Sequence, residues 1–343
     1  MVQASKELPF QRRPSSIDLV HNSKTMSLNL VVPPSNGCEK VILSEEQHAK
    51  ICEVRRLLGP LSGKSSIYCS DPSILRYLRA RNWNVKKATK MLKATLKWRS
   101  EYKPEEIQWD EVAHEAETGK VYCANYNDRH GRTVLVMRPC RQNSKTVKGQ
   151  IRYLVYCMEN AILNLPPDQE SMIWLIDFKD FDMSNISLKA TKETAHVLQE
   201  HYPERLGLAI LYNPPKFFEP FWMVAKPFLE TKTTNKVKFV YSDDVNSKRI
   251  IEDLFDMDQL ESAFGGNNNN AGFNITKYAE MMKEDDKQMR CFWSGVNPRG
   301  PASEKAQSSS GLADSKTSNS SSESPENERT DGDVHITRNA DGS

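Results

Sequence analysis

The stretch that decides the fold is 172–241, MIWLIDFKDFDMSNISLKATKETAHVLQEHYPERLGLAILYNPPKFFEPFWMVAKPFLETKTTNKVKFVY. Three runs in it, 172–178, 206–212 and 237–241, are short, apolar and rich in β-branched, leucine and aromatic residues, which predicts strands. Between them lie two segments of helical length, 185–199 and 216–228, the second entered through the breaker Asn213-Pro214-Pro215. Strands alternating with helices of this length argue for a mostly parallel sheet covered by helices, an α/β fold.

Upstream, 146–165 reads as a long helix stopped by Pro166-Pro167, and 133–137 as a strand entered from the turn residues Asn127-Asp128-Arg129-His130-Gly131. Before Trp109 the pattern is helical throughout. Ser44 with Gln47 forms a capping box ahead of Ile51, Val54, Leu57 and Leu58, and Gly59-Pro60 ends that helix. Asp71-Pro72 starts a second helix, with Asp as N-cap and Pro at the first helical position, and Asn82 or Asn84 interrupts it before the period resumes through Trp98 and Tyr102. The expected organisation is a small helical unit, 41–108, followed by an α/β domain, 109–290.

The two ends read differently. The chain has 343 residues and only 38% of them are hydrophobic. Residues 301–343 hold 11 serines and eight acids but few aliphatics, so 291–343 is expected to be a disordered, serine-rich acidic tail. Residues 1–40, closed by Pro33-Pro34-Ser35-Asn36-Gly37, are expected to be disordered as well. The remainder is ample for a sizeable core.

Several function classes are excluded or find no support. No run of 18 apolar residues exists, which excludes a membrane-spanning helix, and the N-terminus lacks a basic-then-apolar secretory leader. Seven widely spaced cysteines without a Cys-x-x-Cys read as reduced thiols, so a cytosolic protein is expected. The net charge is only +2, yet ten cations face one acid, Glu101, between Pro72 and Lys103. That run is either a solvated helix face or a contact for anionic lipid or nucleic acid, and no nucleic-acid-binding motif accompanies it. There is no P-loop, dinucleotide glycine fingerprint, nucleophile elbow or zincin helix. His196 and His201 fall on different helix faces, and the acids Asp177 and Asp180 at a strand end have neither nucleophile nor metal signature beside them. No enzyme, cofactor or metal is expected.

Taken together, several segments resemble the CRAL-TRIO lipid-binding family, and within it the yeast-type phosphatidylinositol transfer proteins. They are Leu75-Arg76-Tyr77-Leu78-Arg79-Ala80-Arg81, Lys97-Trp98-Arg99, Gly131-Arg132-Thr133-Val134, Ile176-Asp177-Phe178-Lys179, Tyr202-Pro203-Glu204-Arg205-Leu206-Gly207, Asn213-Pro214-Pro215, Lys226-Pro227-Phe228-Leu229 and Phe264-Gly265-Gly266. The match covers about residues 44–290 in the family's order. It implies a helical unit packed on an α/β domain, and a phospholipid held between the sheet and a mobile helix.

The residues can be weighed beside that resemblance. Phe217, Phe218, Phe221, Trp222 and Phe228, with Val224 and Ala225, cover nearly all sides of one helix, which calls for a second apolar partner. The partner is either core or, for a gate hinged near Asn213-Pro214-Pro215 and Pro227, an acyl chain or a bilayer. The resemblance implies that Glu204 and Lys226 hold an inositol phosphate head group, an acceptor for hydroxyls and a charge for the phosphodiester, with Arg81 a weaker candidate. The competing reading of Glu204 and Lys226 is an ordinary ion pair. In the yeast-type proteins a lysine follows the Arg81 position, where this chain has Asn82.

On the strand 171–178 the family's hydroxyls for a phosphatidylcholine head group are replaced, since alternation puts Met172, Trp174 and Ile176 on one face. These three are the expected lipid-pocket residues, and poor phosphatidylcholine transfer is the expected consequence. The function expected is thus that of a monomeric, cytosolic, non-enzymatic carrier. It would exchange phosphatidylinositol with a second lipid and touch membrane surfaces transiently. The alternative is a carrier of a non-phospholipid such as a tocopherol or sterol, which would leave Glu204 and Lys226 unused.

Overall fold

The computed structural model describes residues 43–295. Of the segments expected to be disordered, 1–40 and the part of 291–343 beyond residue 295 lie outside them, whereas 291–293 belong to the last helix. The serine box forms as read: Ser44 accepts from the Gln47 backbone and the Gln47 side chain returns to the Ser44 N–H, opening α1 (Glu45–Leu58). A short α2 (Gly63–Tyr68) precedes α3 (Asp71–Ala80). Ser70, not Asp71, is the N-cap of α3, and Asp71 inside the helix instead takes an ion pair from Arg55 at 2.6 Å. Both Asn82 and Trp83 have positive φ, which breaks the chain before Asn84 caps α4 (Val85–Tyr102). Ile51, Val54, Ile74, Tyr77, Leu78 and Leu92 form the core of this helical unit.

After α5 (Trp109–Ala116) comes a five-stranded sheet in sequence order, β1 (Val121–Asn127), β2 (Thr133–Met137), β3 (Met172–Asp177), β4 (Leu206–Tyr212) and β5 (Val237–Val240). The pair β1–β2 is antiparallel and the other three are parallel, so the sheet is mostly parallel as expected. The parallel strands are joined by α6 (Val147–Leu163), by α7 (Leu188–His201), and by α8 (Phe218–Ala225) with a single turn, α9 (Thr231–Thr234). Then α10 (Val245–Leu254) and α11 (Ile275–Trp293) complete the domain, the last running past residue 290. Strand β1 was not read from the sequence. In 121–127 apolar and polar residues alternate only weakly, and its bulge against β2 between Cys123 and Asn127 spoils the period.

The main core holds Ile173, Leu175 and Ile210 from the sheet with Tyr153, Tyr156 and Met158 from α6. A smaller cluster, Phe178, Leu211 and Phe218, sits under α8 with Ile176, Phe221, Trp222 and Phe239 packed on it. Among the described residues no helix is long and apolar enough to cross a membrane.

Candidate functional site

Glu204 sits in the turn between α7 and β4 with φ of 59°, a left-handed conformation that costs a non-glycine residue energy and clusters at functional positions. Its carboxylate meets Lys236, 3.2 Å away at the foot of β5, and the same ammonium donates to the Leu206 carbonyl at 2.8 Å. Both side chains are partly buried. Beside them Arg81, at the end of α3, forms an ion pair with Glu230 at 2.9 Å. Lys232 on α9 donates to the Arg79 carbonyl. Cations from the helical unit and from the β4–β5 connection therefore converge on one rim.

That rim is the mouth of a cavity of about 180 Å³. The mouth is lined by Arg81, Gln199, Glu204, Glu230, Lys232 and Lys236, and the interior by apolar side chains of the sheet, α6, α7 and α8. The register orders the wall. Trp174, Ala209 and Val237 are paired across β3, β4 and β5, and two residues further along stand Ile176, Leu211 and Phe239. The first row adjoins Lys236, and the second lies in the aromatic cluster under α8. A charged rim over an apolar, partly aromatic interior suits an amphiphile, with its polar end at the mouth.

The structure brings Arg81, Trp174, Ile176, Glu204 and Trp222 to this cavity. Two expected site residues stand elsewhere. Lys226 is exposed on the turn that follows α8 and does not line the cavity, and the lysine that Glu204 meets is Lys236. Met172 is wholly covered in the main core. It pairs with Leu206 whereas Ile173 pairs with Leu208, so a bulge at Gly207 falls beside it and simple alternation stops at the strand's first residue. Phe218 is buried against Phe178 and Phe181, Phe217 stacks on Phe181, and Phe221 and Trp222 pack in the same cluster, Trp222 also lining the cavity. Phe228 is exposed, as are Met223 and Val224. Lys192 of α7 lies 5.9 Å from the Phe228 ring. Sequence reading missed Lys232, Lys236 and Glu230, which carry no motif of their own and become neighbours of Glu204 and Arg81 only when β5 pairs with β4.

Residues 116–266 match the CRAL/TRIO domain and residues 61–94 the CRAL/TRIO N-terminal domain, together more than half of the chain. The chain belongs to the CRAL-TRIO family. Among curated members, a CRAL-TRIO domain-containing protein of Schizosaccharomyces pombe is 40% identical over 58% of this chain and 19% of its own length. Phosphatidylinositol transfer protein PDR17 of Saccharomyces cerevisiae is 35% identical over 52% of this chain and 55% of its own. This chain thus spans about half or less of the length of both. The SEC14 cytosolic factor of Kluyveromyces lactis is 26% identical over 65% of this chain and 79% of its own. Among solved structures, Sfh5 superposes with a TM-score of 0.51 at 20% identity, over 61% of this chain and 74% of that one, which is a likeness of fold. In CRAL-TRIO terms, Arg81 is supplied by the N-terminal unit and the rest of the rim by the CRAL/TRIO domain.

Proposed function

We propose that this protein is a carrier that binds phosphatidylinositol with its inositol phosphate at the Glu204–Lys236 rim. Its acyl chains would lie over Ile176, Leu211 and Phe239 beneath α8, and it exchanges that lipid with a second one at membrane surfaces. The observation that carries the reading is the Glu204–Lys236 pair at the mouth of an apolar cavity. The carboxylate accepts from inositol hydroxyls, and the lysine, with Arg81 beside it, neutralises the phosphodiester. A tocopherol or sterol would leave these charges unused. Two relatives, in Saccharomyces cerevisiae and in Eremothecium gossypii, are named phosphatidylinositol transfer proteins, which favours the same ligand class. Exposed Met223, Val224 and Phe228 on and after α8 give a monomer an apolar face for transient membrane contact.

The test is transfer of labelled phosphatidylinositol between vesicles. Lys236→Ala and Glu204→Ala each remove a charge-assisted contact of about 1.5–3 kcal/mol, so each should lower transfer about tenfold to a hundredfold. Lys226→Ala should stay near the wild type. Phosphatidylcholine should move more slowly, because Ile176 offers no donor and the single indole N–H of Trp174 does not replace several hydroxyl donors for its phosphate. Unchanged transfer in both rim variants would overturn the reading.

A further inference from the structure

We propose that the indole N–H of Trp174 donates a hydrogen bond to an ester carbonyl of the bound glycerolipid, and so selects acyl over alkyl linkages. The inference rests on the head-group reading above. Several buried side-chain polar atoms lack a hydrogen-bond partner among the described residues, and Trp174 Nε1 is the one on a residue lining this cavity. Its neighbours along the strands, Ile176, Ala209 and Leu211, and the lining residues Met158 and Trp222 bring no side-chain oxygen to accept from it. A buried N–H without an acceptor is costly and uncommon in native proteins, and it points to a partner brought by the ligand.

Register says which ligand atom that is. Trp174 pairs with Ala209, and Ala209 with Val237, the residue after Lys236. With strands about 4.8 Å apart, Trp174 stands about 10 Å across the sheet from the foot of β5, level with the innermost edge of the charged rim. One row further in, Ile176, Leu211 and Phe239 offer only hydrocarbon. A glycerophospholipid entering head-outward has its phosphate at the rim and its acyl chains over that inner row. Its ester carbonyls fall between, at the Trp174 row, and they are the only acceptors it carries there. The cavity of about 180 Å³ is smaller than the 300–1,000 Å³ usual for ligand pockets, so loading must displace side chains around the indole and bring the carbonyl against it.

Diacyl and dialkyl phosphatidylinositol of equal chain length, mixed in equal amounts in vesicles, are offered to the protein, and the loaded forms are counted by native mass spectrometry. A neutral hydrogen bond predicts a preference for the diacyl lipid of about twofold to tenfold in the wild type. Trp174→Phe, which keeps an aromatic ring and loses the donor, should bring the ratio close to one. Equal ratios in both proteins overturn the proposal. A readout without mutation guards against a misfolded variant: the Trp174 indole N–H resonance should lie further downfield with diacyl than with dialkyl lipid, and identical positions overturn the proposal too. Failure of the wild type to load either phosphatidylinositol sinks the head-group reading alone. The ester inference is then decided by the same ratio for diacyl and dialkyl forms of the lipid extracted from the protein, and it falls if that lipid is not a glycerolipid.

Discussion

His201 closes α7 with its ring stacked on Trp98, centroids 4.1 Å apart, and its Nδ1 beside the Thr95 hydroxyl at 3.3 Å. Burial first, then the positive charges of His196 and Arg99, lower its pKa from 6.5 to about 4. The folded state therefore resists a proton that the unfolded chain accepts. The stability this residue contributes is present above pH 6.5 and is lost as pH falls toward 4. Asp285 on α11 acts in the opposite sense. Burial, and after it the charges of Asp286 and Glu284, push it up to about 6 against the hydrogen bond from Asn164, so its contribution is present in acid and is lost as pH rises from about 4 through 6. On going from pH 7 to pH 5, His201→Gln should lose less melting temperature than the wild type, and Asp285→Asn should lose more. Scanning calorimetry at the two pH values measures this, and parallel losses in all three proteins would refute it. At this scale Glu204 was named from its motif and Trp174 from strand alternation, and both line the cavity. The cation opposite Glu204 was misread, because Lys226 belongs to a conspicuous local motif while Lys236 reaches Glu204 through strand pairing.

The helix α8 shows how an element divides its faces. Phe218 is buried in edge-to-face contacts with Phe178 and Phe181, centroids 4.5 and 6.1 Å away, whereas Met223 and Val224 point to solvent. Its far end is tied to α7: the Gln199 amide donates to the Phe228 carbonyl and its side-chain oxygen accepts from the Glu230 N–H. The helix is thus held at its exit and by one row of rings, with an apolar outer face. Phe218→Ala should cost about 3–5 kcal/mol in urea unfolding. Val224→Asp on the outer face should change stability by less than about 0.5 kcal/mol, yet slow transfer between vesicles. A Val224→Asp protein with wild-type transfer would remove the membrane role of that face. Elements with a strong period were legible in advance: the strand read at 206–212 is β4 itself, and the helix read at 146–165 is α6 with its ends trimmed. The gate segment was read as one helix over 216–228, but regular α-helix stops at Ala225 and a tighter turn carries Lys226–Phe228, because Pro227 has no N–H to continue the helical bonding and the turn closes instead through the Leu229 N–H on the Lys226 carbonyl.

Among the described residues, the core of the helical unit and the main core of the α/β domain are joined by a polar seam. Arg99 of α4 is buried between Glu159 of α6, at 2.7 Å, and Glu105, at 3.1 Å, and Glu159 also accepts from the Tyr202 hydroxyl. The arginine is held above its ordinary pKa by Glu159, and burial notwithstanding, Glu159 is held below its own by Arg99. Thr95 donates to the Glu200 carbonyl, Arg76 and Arg79 meet Glu170, and Arg81 meets Glu230, so these links and Arg99–Glu159 cross from the helical unit to the α/β domain, while Glu105 and Tyr202 brace the pair from within each part. The alternation of strands and helices revealed both parts in the sequence, but this seam was illegible, since its partners lie far apart in the chain and each reads alone as a surface charge. A helical unit with so small a core depends on the seam for its stability. Arg99→Met leaves Glu159 buried and charged without its partner, which should destabilise the protein by about 3–5 kcal/mol. Adding Glu159→Leu removes the stranded charge and should recover much of that loss, since a buried pair replaced by apolar groups of similar volume is often neutral. Urea unfolding of the three proteins decides the matter: a loss below about 1 kcal/mol in Arg99→Met would show that the seam does not hold the halves together. Because Arg81 comes from one half and Lys236 from the other, the single variant should also transfer less phosphatidylinositol than its stability alone explains, and the double variant should regain transfer along with stability.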